Sequence, residues 1–317
     1  MPELPEVETV VRDLRPHLIG RTITSATVHW KRTIATPGPR TFAHRIRNRK
    51  ITAISRRGKF LIFHLALLRS PSLRGKGLRH TATARALVAL PPSLPGKGPR
   101  VRSTYLLVHL RMTGGFHLDA RAVPRDKHIH VCLQLDDGYE LRFRDTRKFG
   151  RMWLVDDPER VVGRLGPEPL EIPAREFHAR IEKRRGNLKP LLLNQTFLAG
   201  IGNIYADDSL WYARLHPLRQ VQTLTRAECG SLFRAIRQVL KRAIAVGGTS
   251  IDVMYKRVNG KSGGFTNSLR AFDQEERPCR RCGTPIQKTI VGQRGTHFCP
   301  TCQRRHAKVK KTAQVGD

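Results

Sequence analysis

Acidic residues are scarce in this sequence of 317 residues. It contains 25 Asp and Glu against 59 Lys and Arg, which gives a formal net charge of +34 at pH 7. Long apolar runs are also missing: the longest, residues 60–68, is interrupted by His64 and is far shorter than the ~20 residues of a membrane-spanning helix. These shortages exclude a membrane-spanning helix and favour a polyanionic partner, of which nucleic acid is the commonest in a cell. A generally arginine-rich proteome is the alternative source of the charge.

We expect no secretory signal from the pattern of the first residues. The first twenty residues lack a basic segment followed by an apolar core and instead carry the acids Glu3, Glu6, Glu8 and Asp13. We therefore expect a cytoplasmic, nucleoid-associated protein with no membrane partner. Hydrophobic residues make up 39%, enough for folded cores, and the length suggests two domains with a small additional module.

Cysteine is also sparse, and four of the six cysteines form two close pairs. Each pair has the spacing Cys-x2-Cys and sixteen residues separate the pairs, which are Cys279 with Cys282 and Cys299 with Cys302. This pattern predicts one tetrahedral zinc ion with four thiolate ligands, which is structural because no position stays open for catalysis. Two disulfides are the alternative, but they require an oxidising compartment. Cys132 and Cys229 stand alone in apolar contexts and are predicted to be buried thiols.

The apolar pattern changes twice along the chain. Residues 5–18 have apolar side chains at helical spacing, with acids in the first turn. Short β-branched runs then predict a sandwich or barrel of mainly antiparallel strands, at 23–28, 51–55, 60–65, 105–110, 130–135, 139–143 and 152–155. The spacing becomes helical again at 173–184, 188–194, 203–212 and 225–246. A capping box of Thr225 and Glu228 marks the start of the last helix.

Three segments fit neither pattern. Residues 69–100 are rich in Pro, Gly, Arg and Lys and are typical of a flexible basic insertion. Residues 158–172 are predicted to link two domains, and residues 304–317 to form a disordered basic tail. Between the cysteine pairs, Gly292 and Gly295 flank Gln293 and Arg294, which predicts a hairpin tip carrying an arginine that could reach a phosphate.

The amino terminus has residues that suit covalent catalysis. Removal of Met1 would leave the secondary amine of Pro2 as the terminus. An α-amino group has a pKa of roughly 7.7–8.0, so part of it is nucleophilic near neutral pH. Its attack on a sugar aldehyde carbon would give an iminium ion that promotes β-elimination, with Glu3 as acid or base. The simpler alternative is a helix start, since Pro and Glu both suit the first turn.

Several motifs in order resemble the bacterial formamidopyrimidine-DNA glycosylases. They are MPELPEVETV at 1–10, RRGKF at 56–60, HLRMTG at 109–114, DTRKFG at 145–150, LGPEPL at 165–170, GIGNIYA at 200–206, GGTS at 247–250 and the cysteine pairs with Gln293 and Arg294. The resemblance covers nearly the whole chain except residues 69–100 and the tail. It implies an α+β multidomain fold: an N-terminal helix with an antiparallel β-sandwich (1–157), a linker (158–172), a helix-two-turn-helix domain (173–265), a four-cysteine zinc finger (266–303) and a tail (304–317).

The resemblance also implies catalytic roles. Pro2 corresponds to the family's Schiff-base nucleophile and Glu3 to its acid/base. Lys59 resembles the lysine that contacts the phosphate beside the lesion and assists β-elimination. Arg294 resembles the zinc-finger arginine that grips phosphate and assists δ-elimination. Without the motifs, Lys59 would be a strand-edge lysine and Arg294 one solvated arginine among many.

Further motif residues resemble contacts with the DNA backbone. Asn203, at a predicted helix start, would bind phosphate through its side chain and the exposed N–H groups there, or would serve as an N-cap. His128, Arg185 and Lys189 resemble additional backbone contacts, although each alone would be ordinary solvated surface.

A second group resembles the family's void-filling trio: Met112, Arg147 and Phe149. An unbranched apolar side chain and an aromatic wedge can occupy the gap left by an extruded base, and a guanidinium can bond the orphaned partner base. Outside this motif, Met112 and Phe149 would be predicted as core residues.

We therefore expect a monomeric, bifunctional DNA glycosylase and abasic-site lyase of base excision repair. It would bind damaged double-stranded DNA, excise oxidised purines such as 8-oxoguanine and formamidopyrimidines, and nick the strand by β,δ-elimination. Two segments depart from the family: the insertion at 69–100, for which we expect nonspecific DNA affinity, and residues 251–264, which leave the base preference open. The alternatives are an endonuclease VIII-like enzyme for oxidised pyrimidines and a catalytically inactive zinc-finger DNA-binding protein.

Overall fold

The computed structural model describes residues 1–67, 103–250, 258 and 260–305. The predicted insertion at 69–100, most of the segment 251–264 and the tail beyond residue 305 lie outside the described residues. Among the described residues, no helix is both long and apolar enough to cross a membrane.

The first helix, α1, runs over Leu4–Leu18 as the apolar spacing predicts. Its buried side chains reach two different cores. Leu4 packs in a core of helical residues, whereas Val7, Val10 and Leu14 pack against the sheet. The helix therefore lies between the two halves of the molecule, and its first turn is held at their junction.

Among the described residues, nine strands form one hydrogen-bonded sheet in the order β2-β9-β5-β4-β3-β1-β7-β8-β6. All pairings are antiparallel except β2 with β9. The Phe63 and Phe116 rings, from β4 and β6, lie only 5.8 Å apart although many strands separate them, so the sheet folds over a shared core as a sandwich. The strands are β1 Thr22–Val28, β2 Ile34–Thr36, β3 Arg49–Arg57, β4 Phe60–Leu67, β5 Thr104–His109, β6 Gly114–Ala120, β7 Ile129–Leu135, β8 Tyr139–Asp145 and β9 Arg151–Val155.

Three elements of this half were not predicted from the sequence. Strand β2 has only three residues, and helix α2, Pro39–Ile46, buries only Phe42 and Ile46, so neither gives a clear period. Strand β6 begins with Gly114 and Gly115, which are poor strand formers. Position 114 has room only for glycine, because a Cβ there would lie 2.5 Å from the Leu110 carbonyl oxygen.

Four helices build the second half, close to their predicted positions: α4 Ala174–Glu182, α5 Leu188–Leu193, α6 Asn203–Ala213 and α7 Arg226–Ala245. The capping box of α7 is confirmed, since the Thr225 hydroxyl accepts the Glu228 N–H at 3.2 Å and the Glu228 carboxylate accepts the Thr225 N–H at 2.8 Å. A short helix, α3 Glu159–Val162, occupies part of the predicted linker.

A two-stranded hairpin stands between the cysteine pairs, with β10 Gln287–Val291 and β11 Arg294–Phe298. The turn residues are Gly292 and Gln293, with φ of 56° and 61°. Positive φ at both positions is the geometry that suits a two-residue hairpin. Arg294 therefore does not sit at the tip, as the flanking glycines suggested, but opens β11 opposite Val291.

Candidate active site

A cavity of about 500 Å³ opens where the two halves meet. Residues from the first turn of α1, the β3–β4 turn, the start of α6 and the hairpin line it together. Six residues singled out in the sequence are among them: Pro2, Glu3, Lys59, Met112, Asn203 and Arg294. Residues that are far apart in the chain thus meet around one space.

Backbone N–H groups at the start of α6 fix the Glu3 carboxylate. Its two oxygens accept the N–H groups of Gly202 at 2.7 Å and Ile204 at 3.0 Å. The next residue, Leu4, donates its N–H to the Gly200 carbonyl at 3.0 Å, so the GIGN segment cradles the amino terminus. These N–H groups were expected to bind phosphate, but the structure assigns two of them to a carboxylate, which the positive helix end also stabilises.

Lys59 lies beside Glu3 and is almost completely buried, with 6% of its surface exposed. A Cβ at Gly202 would lie 2.7 Å from Lys59 Nζ and 2.5 Å from a Glu3 oxygen, so both groups lie against this glycine. Burial lowers the pKa of the Lys59 ammonium, Glu3 and Glu6 oppose that shift, and the nearby Arg294 cation adds to it. A larger fraction of Lys59 than of an exposed lysine is therefore neutral near pH 7 and able to accept a proton.

Glu168 anchors the turn that carries Lys59. Its carboxylate accepts the Gly58 N–H at 2.6 Å and forms ion pairs with Arg56 at 2.7 Å and Arg57 at 3.2 Å. The motifs RRGK and LGPEP therefore contact each other, and Glu168 ties its segment to the turn of the sandwich that carries Lys59.

Sequence reasoning missed Glu6, which is only 2% exposed. Its carboxylate accepts the N–H groups of Glu3 and Thr249, each at 2.8 Å, and the Tyr205 hydroxyl. Burial raises the pKa of Glu6 to about 7, and the nearby charge of Glu3 adds to the rise. From the sequence, Glu6 is only one of the acids that the helix dipole favours in the first turn of α1. The available signal was its position four residues before the buried Val10, on the apolar face of α1.

We name these residues, Pro2, Glu3, Glu6 and Lys59, the buried cluster.

The hairpin is fixed to the same site through α6. Asn203 Nδ2 donates to the Gly295 carbonyl at 2.9 Å, and the Asp207 carboxylate accepts the His297 N–H at 2.9 Å. Arg294 is exposed at the cavity. Asn203 Oδ1 is buried with no hydrogen-bond partner among the described residues. It is an acceptor, and because phosphate oxygens also accept hydrogen bonds, it cannot bind phosphate. The Asn203 side chain therefore positions the hairpin, and it is Gly202 that serves as the N-cap.

Lys189 does not fit its predicted contact with the DNA backbone. It is completely buried and forms an ion pair with Asp207. Its Nζ also lies 3.5 Å from the Gly295 carbonyl oxygen. Burial lowers the pKa of this lysine, while Asp207 opposes the shift. A buried, paired ammonium is not available to phosphate, so Lys189 supports the hairpin instead.

Two exposed loops stand beside the cavity, at residues 110–114 and 146–150; we name them the exposed loops. Met112 and Phe149 expose 42% and 46% of their surfaces, so neither is a core residue. The Arg147 guanidinium lies 5.0 Å from the Phe149 ring centroid. These three side chains are accessible to a duplex. His128, half-buried before β7, and the exposed Arg185 do not line the cavity.

The four paired cysteines converge on one point. Their sulfur atoms all lie within 4.8 Å of one another, and Cys282 and Cys299 are 3.5 Å apart. Four thiolates at a Zn–S distance of ~2.3 Å require sulfur separations of about 3.8 Å, so the donor set fits tetrahedral zinc. The Trp211 indole N–H donates to Cys279 at 3.3 Å, which ties the cluster to α6.

Comparisons with known proteins agree with this geometry. Residues 1–152 match the formamidopyrimidine-DNA glycosylase N-terminal domain, residues 165–255 its H2TH domain, and residues 277–305 the zinc finger found in FPG and IleRS. The formamidopyrimidine-DNA glycosylases of Herpetosiphon aurantiacus and Corynebacterium glutamicum are 41% and 40% identical, each over 96% of this chain and all of their own length.

Solved structures are similar as well. Lactococcus lactis Fpg with DNA containing Fapy-dG is 33% identical with a TM-score of 0.78, and MutM with DNA containing carbocyclic 8-oxo-G is 33% identical with a TM-score of 0.79. Each similarity covers 96% of this chain and 100% of the other. Because the domain matches and the relatives together extend over nearly the whole sequence, this chain belongs to the formamidopyrimidine-DNA glycosylase family.

Proposed function

We propose that this protein is a bifunctional DNA glycosylase and abasic-site lyase that removes oxidised purines from duplex DNA. The observation that carries the proposal is the buried cluster, in which a carboxylate held by two N–H groups and a lysine of lowered pKa lie beside Pro2 in one cavity. The relatives named formamidopyrimidine-DNA glycosylase, and the solved Fpg and MutM complexes with Fapy-dG and 8-oxo-G, support the same substrate class.

The reaction begins with the amine of Pro2, once Met1 has been removed. Its lone pair forms a bond to C1′ of the deoxyribose, the C1′–N9 bond breaks, and the purine leaves with the electron pair and takes up a proton. Glu3 protonates the ring oxygen O4′, so the sugar opens and an iminium ion joins C1′ to the proline nitrogen.

The iminium ion then drives strand cleavage. Loss of a C2′ proton lets the bond from C3′ to its phosphate oxygen break, and a second elimination releases the phosphate at C5′. Lys59, whose pKa is lowered chiefly by burial, receives a proton and contacts the adjacent phosphate. Arg294 grips phosphate for the second elimination.

The remaining residues act on the DNA. Met112, Arg147 and Phe149 fill the space left by the extruded base, and His128 and Arg185 contact the backbone. Asn203 and Lys189 act indirectly, since they hold the hairpin segment that carries Arg294.

We also propose that Cys279, Cys282, Cys299 and Cys302 bind one zinc ion, which stabilises the hairpin fold and takes no part in the reaction. The protein would act as a monomer on nucleoid DNA, with the domain boundaries that the sequence predicts.

The test is borohydride trapping combined with lesion preference. With an 8-oxoguanine duplex the protein should form a covalent adduct, and Pro2→Gly should sharply reduce it. Pro39→Gly, at the start of α2, is a matched control that should trap like the parent protein. Absence of an adduct, or an undiminished one in Pro2→Gly, would contradict the mechanism. Faster cleavage of a thymine glycol duplex than of the 8-oxoguanine duplex would favour the endonuclease VIII-like alternative.

A further inference from the structure

One buried carboxylate joins the two exposed loops. Asp145 ends β8 and has only 1% of its surface exposed. Its Oδ1 accepts the Thr113 hydroxyl and the Arg147 N–H, the latter at 3.2 Å, and its Oδ2 accepts the Gly150 N–H at 2.6 Å. Thr113 follows Met112 directly, and Arg147 and Gly150 bracket Phe149. A single side chain therefore fixes both loops.

The backbone of the same residue holds a third element. The Asp145 N–H donates to the His128 carbonyl at 2.9 Å, and the His130 Nε2–H donates to the Asp145 carbonyl at 2.7 Å. The Thr113 hydroxyl oxygen also accepts the Arg147 N–H at 3.1 Å, which links the two loops directly. His128 is thereby fixed to the point from which Met112 and Phe149 project.

The loops pack against this point with no spare room. A Cβ at Gly150 would lie 2.8 Å from Phe143 Cε1, closer still to Phe143 Cζ, and 3.1 Å from Asp145 Oδ2. Lys148, with φ of 60°, places its Nζ 4.3 Å from the Trp30 ring centroid, which draws its own side chain away from those of its neighbours. Arg147 and Phe149 are left to project beside each other.

The chemistry of the donors requires a carboxylate here. The described partners of the Asp145 side chain are two N–H groups and one hydroxyl, all neutral donors, and both carboxylate oxygens accept. An asparagine of the same shape has only one acceptor oxygen, and its NH2 group would face a donor. At least one buried donor would then lose its acceptor.

We propose that Asp145 is a positioning residue that holds Met112, Arg147, Phe149 and His128 in the one arrangement that extrudes a base, an inference that rests on the proposed function. Asp145 is buried and does not line the cavity, so it acts only through these loops. Its loss should slow extrusion from a duplex and leave the chemistry of the buried cluster intact.

The experiment compares Asp145→Asn and Thr113→Val with Thr113→Ser, which keeps the hydroxyl. Asp156→Asn is the matched control, because that exposed carboxylate pairs with Arg45 away from the cavity. The readouts are single-turnover excision from an 8-oxoguanine duplex, fluorescence of 2-aminopurine beside the lesion, and borohydride trapping on a single-stranded abasic oligonucleotide.

Asp145→Asn leaves a buried donor without its acceptor, and Thr113→Val removes the hydroxyl that joins the two loops. Each should slow excision and the fluorescence change by about tenfold, the size expected for such a loss. Trapping on the single strand should stay near the parent rate, and Thr113→Ser should behave like the parent. Parallel loss in the duplex and single-strand assays, or an unchanged fluorescence response, would overturn the proposal. If Asp145→Asn fails to fold, the Thr113 pair decides. A parent protein that traps nothing would refute the proposed function, while the fluorescence assay would still test Asp145.

Discussion

The buried cluster and the exposed loops achieve precise placement in opposite ways. In the buried cluster, charged groups lose contact with water and are held by backbone N–H groups from distant segments, as Gly202 and Ile204 hold Glu3. In the exposed loops, apolar side chains stay in water and a single buried carboxylate, Asp145, holds the backbone beneath them. From this difference we expect the chemistry and the base extrusion of the proposed reaction to be separable: the first should depend on desolvated charge, the second on loop shape.

The largest expected effect is on the excision rate of a Glu3 variant, which changes the buried cluster and leaves the exposed loops intact. Glu3→Gln should lower single-turnover excision about 1,000-fold, within the usual range for a lost general acid. The amide also places its NH2 group against one of the two N–H donors that hold Glu3. Glu171→Gln, an exposed site, is the control. Excision within a few-fold of the parent would show that Glu3 is not the acid.

Much of this arrangement could be predicted, and the two charged residues that were misjudged, Glu6 and Lys189, share one cause. The helical period of apolar residues predicted α1 and α7, short β-branched runs predicted most strands, and the cysteine spacing predicted the cluster of sulfur atoms. Glu6 and Lys189 were misjudged because their partners, Thr249 and Asp207, lie far away in the sequence. A local pattern reveals which face of a helix is apolar, but not which distant donor meets a charged residue on it.

The second prediction concerns the free energy of unfolding and the buried cluster alone. Burial raises the pKa of Glu6 from 4.5 to about 7, so the folded state binds the extra proton between these values. The protonated Glu6 therefore stabilises the fold fully below about pH 4.5. As the pH rises through 7 this stabilisation is lost, and the free energy of unfolding falls by about 3 kcal/mol. Glu6→Gln should remove this loss. Urea unfolding of both proteins across that pH range checks it, with Glu171→Gln as the control.

Identical pH dependence of the parent and Glu6→Gln would contradict the raised pKa of Glu6. That result would also contradict the view that the buried cluster depends on desolvated charge, which is the basis of the comparison between the two regions.

The smallest effect belongs to the exposed loops. Phe149→Ala should slow excision from a duplex about tenfold, because the gap that costs a few kcal/mol to open is no longer filled. Trapping on a single-stranded abasic oligonucleotide should not change. Tyr139→Ala, which truncates an aromatic residue of similar exposure, is the matched control. Equal losses on both substrates would mean that the loops and the buried cluster do not act separately.

The most direct test of the central claim is to locate the covalent bond. After borohydride trapping on an abasic oligonucleotide and digestion with trypsin, mass spectrometry should find the sugar remnant on the peptide of residues 2–12, attached to the amine of Pro2 and without Met1. A remnant on the peptide that contains Lys59, or a trapped protein that still carries Met1, would contradict catalysis by the terminal proline.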